Sequence, residues 1–183
     1  MAMLGRLRPP RRMFRRPRHA LSAAVSFTFL LGCSAQQADL PADANAVVER
    51  VVDGDTIHVS IDGRSETVRL IGIDTPETKK PDTPVECFGP EASARLAELL
   101  PPGTPVRLER DIDSRDKYRR LLAYVHREPD DLFINAVLID EGLARPYPFE
   151  PNTTYADQFT AAAEIARTNG IGLWSACTDT ATP

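Results

Sequence analysis

The sequence has little of what a soft-metal centre needs. Its 183 residues hold three cysteines and three histidines. None of them pair at ligand spacing, so a zinc site is not expected. Long hydrophobic runs are also missing. The longest, residues 20–32, covers about 20 Å as a helix, against a hydrocarbon core of about 30 Å. Positive charge is scarce beyond the start. Seven of the 22 Lys+Arg lie in residues 1–32, which contain no acid, so residues 33–183 hold 15 basic against 26 acidic residues, a net −11. That excludes a globally basic, nucleic-acid-coating body. An apolar share of 42% excludes a collagen-like or simply disordered chain. The chain beyond residue 32 suits one domain plus a tail.

What is present begins with an address. Residues 1–32 read as a bacterial signal peptide, with an arginine-rich start and a short apolar run. The run ends in Leu30-Leu31-Gly32-Cys33-Ser34, which resembles a lipobox. The expectation is a lipid anchor on Cys33 and a cell-envelope, extracytoplasmic location; a secreted soluble protein with an incidental cysteine is the alternative. The signal is already complete from Met13, so Met1, Met3 and Met13 all stand as starts. Residues 33–45 are small and polar and read as a flexible tether. Cys87 and Cys177 remain. In an oxidising compartment two cysteines are expected to pair, closing a loop of about 90 residues worth up to roughly 4–5 kcal/mol; two buried free thiols are the alternative.

The body, 46–177, reads as short strands followed by helices, with a polar tail at 178–183. β-Branched runs predict strands over 46–52, 56–61 and 66–73, separated by Asp-Gly turns. Two more are predicted over 106–110 and 121–126. Helices are predicted over 89–100, 134–141 and 155–168, from capping signals and apolar stripes. Five strands are too few for a sandwich. The pattern suits an α+β, mainly β arrangement: a five-stranded OB-fold barrel with three packed helices. Arg69 falls on a mostly apolar side of its strand, so its charge needs a partner. His58 and His126 fall in strands, where surface or core roles are expected.

Chemistry concentrates in three motifs: Asp53-Gly54-Asp55-Thr56, the stretch from Arg69 through Asp74-Thr75-Pro76-Glu77, and Asp116-Lys117-Tyr118-Arg119-Arg120. Each alone reads as a turn or a solvated loop. Together they describe phosphoryl-transfer machinery. Asp55 and Asp74 sit at strand ends, where a barrel brings them together as a hard-oxygen site for Ca²⁺ or Mg²⁺. Glu77 is spaced to hold a water. Arg69 and Arg120 offer planar, always-charged donors to phosphate oxygens.

In this order and at these spacings the motifs resemble the staphylococcal nuclease (thermonuclease) family. Gly89-Pro90-Glu91-Ala92, Asn135-Ala136, Glu141-Gly142-Leu143-Ala144 and Leu173-Trp174-Ser175 extend the resemblance, which runs from about residue 47 to 174. It implies a Ca²⁺-dependent phosphodiesterase acting on DNA and RNA, cutting at the 5′ oxygen and leaving 3′-phosphate ends. It implies Asp55 and Asp74 as side-chain ligands to Ca²⁺ and Thr75 as a backbone ligand. Glu77 would position or deprotonate the attacking water, and Arg69 and Arg120 would clamp the scissile phosphate. Lys117 and Tyr118 would meet the nucleotide's terminal phosphate, with Tyr147 flanking the nucleotide. A monomer with no obligate protein partner is expected.

The sequence departs from the family pattern at three places. Position 119 is Arg where the best-known pattern has Gly. The stretch 145–152 is one residue shorter and richer in proline. The loop 78–88 carries Pro81, Pro84 and Cys87. The other class of reading is a non-catalytic OB module binding nucleic acid or an envelope partner. With a net −11 in the body, local charge must decide nucleic-acid binding. Residues 113–120 carry four basic against two acidic side chains. Weak steering and a strong metal requirement are therefore expected.

Overall fold

A computed structural model describes residues 40–79 and 83–177. The signal segment, Cys33, most of the tether, Lys80 and the tail from residue 178 lie outside the described residues.

β1 (Ala46–Asp53) and β2 (Thr56–Ile61) form a hairpin with Asp53 opposite Thr56. Asp62 and Gly63 turn the chain into β3 (Arg64–Leu70), and β4 is Gly72–Asp74. β5 (Pro105–Glu109) pairs with β1, and β6 (Leu121–Arg127) pairs with β5. β6 also runs parallel to β3, Val68 opposite Leu121 and Leu70 opposite Ala123, which closes a five-stranded barrel. Closure removes the sheet edges that would otherwise invite association. A two-residue strand β7 (Leu132–Phe133) pairs with the last residues of β6, Phe133 opposite His126 and Leu132 opposite Arg127.

The single strand predicted over 66–73 is two strands. Gly72 has φ +76°, and a Cβ there would lie 2.7 Å from the Phe159 ring. The chain therefore breaks from the barrel after Leu70, and alternation across the break does not hold: Ile71 and Ile73 are buried together with Val68 and Leu70. The freed segment β4 pairs with β8 (Arg145–Tyr147), Asp74 opposite Arg145, in a small ribbon that the sequence pattern does not predict.

Three helices cover the barrel: α1 (Gly89–Leu99), α2 (Ile134–Asp140) and α3 (Ala156–Thr168). A single turn, α4 (Leu173–Ala176), comes after them. α1 buries Ala92, Leu96 and Leu99, α2 buries Ile134, Leu138 and Ile139, and α3 buries Phe159, Ala163 and Ala166. All of these but Ala166 meet Ile57, Val59, Val68, Leu70 and Val125 in one core. Each large apolar side chain so buried contributes about 1.5–3 kcal/mol against exposure. Cys87, just before α1, is joined to Cys177, just after α4, by a disulfide.

Candidate active site

Asp55 lies in the β1–β2 turn and is buried. The turn packs close because residue 54 is glycine: a Cβ there would sit 2.6 Å from the Thr75 hydroxyl oxygen. That approach lets the backbone N–H and hydroxyl of Thr75 both donate to Asp55 Oδ2, each at 3.2 Å. The Thr56 hydroxyl donates to Oδ1. Asp74, at the end of β4, stands beside it. Nη2 of Arg69 meets Asp55 Oδ2 at 3.0 Å and Asp74 Oδ1 at 2.8 Å. Two carboxylates from separate strands thus converge on one nitrogen. Nη1 of the same guanidinium donates to the carbonyls of Leu70 and Ile73. The partner that Arg69 needed is supplied by the break between β3 and β4. Asp74 keeps 56% of its side chain exposed. The protein atoms crowding it nevertheless push its carboxyl above the usual aspartate range, helped by the charges of Asp55 and Glu86 and opposed by Arg69.

Glu77 folds back on its own turn. Its Oε1 accepts from the backbone N–H groups of Thr78 and Lys79, at 2.9 and 2.7 Å. A side-chain hydrogen bond to Asp53 raises the Glu77 pKa, with desolvation and the Asp53 charge adding to the effect. Asp53 is a buried residue that sequence reasoning left as part of a turn. Burial raises its pKa, but hydrogen bonds from Glu77, Thr78, Gly54 and Ser93 outweigh that and hold it low. Thr78 and Ser93 hydroxyls donate to it at 2.7 and 2.9 Å. Glu86 is a second residue the motifs did not single out. Its Oε2 accepts from the Glu77 N–H at 3.0 Å, and its own N–H donates to the Glu77 carbonyl. The signal for Asp53 was its two-residue spacing from Asp55; Glu86 sat unmarked in a proline-containing loop.

The second wall is the loop between β5 and β6. Asp116 organises it: Oδ1 accepts from the backbone N–H groups of Tyr118 and Arg120, and Oδ2 from Arg120 Nε at 2.7 Å. Arg120 Nη1 and Nη2 make no hydrogen bond to a described residue and remain for a ligand. Lys117 and Arg120 both lie over the Tyr118 ring, at 5.0 and 5.5 Å. Buried Asn152 fixes the loop from behind, accepting from the Asp113 N–H and donating to its carbonyl. Arg119 takes φ +68°, the left-handed region in which a glycine is at ease. Tyr147 of β8 is exposed and lies parallel to Phe149, ring centroids 6.4 Å apart.

These parts enclose one cleft of about 1000 Å³. Asp55, Arg69, Asp74, Thr75 and Glu77 line it from the barrel and β4; Lys117, Tyr118, Arg120 and Tyr147 line it from the loops. All nine cleft residues expected from sequence are brought together. Among the described residues no group of three or more His, Cys, Asp or Glu side chains is arranged so that it could hold a metal ion by itself. The cleft offers the carboxylates of Asp55 and Asp74 and the oxygens of Thr75, donors whose chemistry suits a hard cation completed by water rather than a soft one. Carboxylates for a cation, two guanidinium groups for an anion and a third carboxylate able to take a proton are what hydrolysis of a phosphate ester requires.

Comparison with known proteins agrees with this chemistry. The profile of the staphylococcal nuclease homologue family matches residues 67–176. The chain is 46% identical over 133 residues to endonuclease YncB of Bacillus subtilis (strain 168), covering 72% of this chain and 62% of that protein. It is 47% identical over 133 residues to the SPbeta prophage-derived endonuclease YokF of the same organism, covering 72% of this chain and 44% of that protein. Thermonuclease of Staphylococcus intermedius is 45% identical over 128 residues, 70% of this chain and 74% of that protein. The chain thus matches less than two thirds of the length of each of the two Bacillus proteins.

Proposed function

We propose a function for this chain from one premise: it belongs to the staphylococcal nuclease homologue family. It is a nuclease that hydrolyses phosphodiester bonds of DNA and RNA with Ca²⁺, cutting at the 5′ oxygen and leaving 3′-phosphate ends. The observation that carries this reading is the meeting of Asp55, Asp74 and Arg69 at one nitrogen in the cleft that Glu77 and Arg120 also line.

Asp55 and Asp74 would hold Ca²⁺ through their carboxylates and Thr75 through its carbonyl. The ion supplies charge neutralisation at the phosphate oxygens. The remaining work falls to the chain's own groups. Arg69 and Arg120 receive the scissile phosphate, and their fixed charge is worth more as negative charge grows on its oxygens. Glu77 orients a water and takes its proton. Lys117 and Tyr118 hold the phosphate at the far end of the nucleotide, and Tyr147 flanks its base or sugar. In the cell the protein is proposed to sit on the extracytoplasmic side of the envelope through a lipidated Cys33. Mass spectrometry of the mature N-terminus tests that: an unmodified or absent Cys33 removes the anchor.

Cleavage of DNA with Ca²⁺, compared with chelator and with Glu77→Gln, tests the activity. Both controls are expected to lose at least about 100-fold in rate. Equal rates in all three conditions overturn the assignment. Arg120→Ala is expected to lose more rate than Arg119→Ala, because only Arg120 lines the cleft; the reverse order would shift the register of the clamp by one.

A further inference from the structure

The arginine at position 119 stands on the surface beside the cleft. Arg119 is exposed, and its backbone is held at φ +68° by a turn in which its N–H donates to the Asp116 carbonyl. A residue with a Cβ costs about 1 kcal/mol in this region. Its carbonyl accepts from Arg115 Nη1 at 2.6 Å. The Arg115 guanidinium also grips both carboxylate oxygens of Glu66 on β3, at 3.0 and 2.9 Å. Arg115 therefore braces the β3 end of the barrel against the Lys117–Arg120 loop, and it lines the cleft itself. Arg64, the first residue of β3, lies two residues from Glu66 and is exposed. It and Arg119 both act on the Glu66 carboxylate, which is held below the usual glutamate range chiefly by Arg115.

The charges in this area divide unevenly. Glu66 is taken up by Arg115 and Asp116 by Arg120. The guanidinium groups of Arg64 and Arg119 make no hydrogen bond or ion pair with a described residue. Arg119, next in chain to the cleft-lining Tyr118 and Arg120, and Arg64, which shares the field of Glu66 with it, are two exposed cations on a body of net −11. Arg119 is two residues beyond Lys117, a chain distance of at most about 7 Å. A polymer whose phosphate is held at Lys117 must continue somewhere, and here the surface offers charge for it.

We infer that Arg64 and Arg119, braced by Arg115, form a ledge that binds the backbone phosphates of a nucleic-acid strand as it leaves the cleft past Lys117. The inference rests on the nuclease reading for the role of Lys117. The ledge makes the protein favour polymers over short fragments. Base identity does not matter to it, because phosphate contacts carry no sequence information.

The test is fluorescence anisotropy with a labelled oligothymidylate of about 12 nucleotides, in a Glu77→Gln background with Ca²⁺. Arg64→Ala combined with Arg119→Gly is expected to raise Kd about fivefold or more. It is also expected to reduce the slope of log Kd against log salt by about 1.4, close to 0.7 for each single-strand phosphate that is no longer neutralised. For a mononucleotide carrying phosphates at both ends, the loss is expected to be several times smaller. Glycine suits φ +68°, so the folded state tolerates the double variant, and a melting temperature no lower than the parent's checks this. An unchanged salt slope, equal losses for the two ligands or no oligonucleotide binding by the parent overturns the ledge. If wild-type protein cleaves neither DNA nor RNA while the slope still falls, the nuclease reading fails and the ledge stands. Cleavage with an unchanged slope does the opposite.

Discussion

Arg119 also makes a stability argument at the scale of one residue. Replacing it with glycine removes the left-handed penalty of about 1–2 kcal/mol and adds back about 0.5–1 kcal/mol of unfolded-state entropy. The net expectation is a gain of roughly 0.5 kcal/mol, read as a higher urea midpoint at an unchanged slope; a lower midpoint refutes it. His126 gives a pH argument. It is buried, stacks on Phe133 with ring centroids 4.5 Å apart, and faces carboxylate oxygens of Glu109 at Nε2 and Asp131 at Nδ1, each at 3.3 Å. Burial lowers its pKa first and the Arg107 charge second; Asp131 and Glu109 oppose them. With the folded pKa below the unfolded value of about 6.5, the unfolded chain binds the proton first. Stability is complete at higher pH and falls as pH drops below about 6.5 toward the folded pKa, by at most about 1.4 kcal/mol per pH unit. Urea titrations at two pH values should show this loss, and His126→Gln should show less of it; an equal loss in both proteins refutes the assignment. The cleft residues themselves were legible because their types are rare in combination. Asp53 was not, because an Asp before Gly is explained well enough by the turn it makes. Only the fold shows that it grips Thr78 and Ser93 and hydrogen-bonds Glu77.

Among elements, the informative one is the break after β3. β-Branched patterning runs through 66–73, and Gly72 is the one local mark in it, a signal of a bulge or close approach but not of a change of sheet. The cause is tertiary: the Phe159 ring occupies the space that a side chain at 72 would need. The five barrel strands and three helices were legible because each carries its own periodicity and punctuation. β4, β7 and β8 were not, because strands of two or three residues have too little period to read. The break is held by Asn135 at the start of α2, fully buried, which accepts from the Val125 N–H at 2.9 Å and donates to the Ile71 carbonyl at 2.9 Å. It ties β6 to the point where the chain leaves the barrel. Asn135→Ala leaves a buried donor and a buried acceptor unpaired, at about 1–3 kcal/mol each. A loss of about 3 kcal/mol or more in chemical denaturation is expected, and one below about 1 kcal/mol would mean that the segment repacks. Because Asp74 ends β4, a stable variant should also hold Ca²⁺ less well than the parent.

At the scale of the molecule, two features oppose each other across the cleft. The disulfide ties the chain just before α1 to its end after α4, at a sequence separation of 90. It thus anchors the far end of the loop whose near end carries Glu77, and Glu86, adjacent to Cys87, holds the Glu77 backbone. One wall is tied to the disulfide through the Glu86–Glu77 hydrogen bonds, and the other, from Asp113 to Arg120, is fixed by Asn152 and Asp116. Charge works against this preformed cleft. Without the first 32 residues the chain is near −11, and at physiological salt only charges within about 8 Å of a bound phosphate are felt strongly. Arg69 and Arg120 line the cleft, but so do Asp55, Asp74 and Glu77. Arg69 is already engaged by two of those carboxylates, so a phosphate arriving alone meets a guanidinium whose charge is largely matched. On the proposed reading, a divalent cation held by Asp55 and Asp74 would reverse the balance and leave Arg69 to the substrate. Removal of Ca²⁺ is therefore expected to weaken oligonucleotide binding itself, by at least about tenfold, or 1.4 kcal/mol, and not only turnover. Anisotropy titrations of Glu77→Gln with Ca²⁺ and with chelator measure this directly. Equal affinity in both would mean that the Arg64 and Arg119 ledge, rather than the cation, carries the strand.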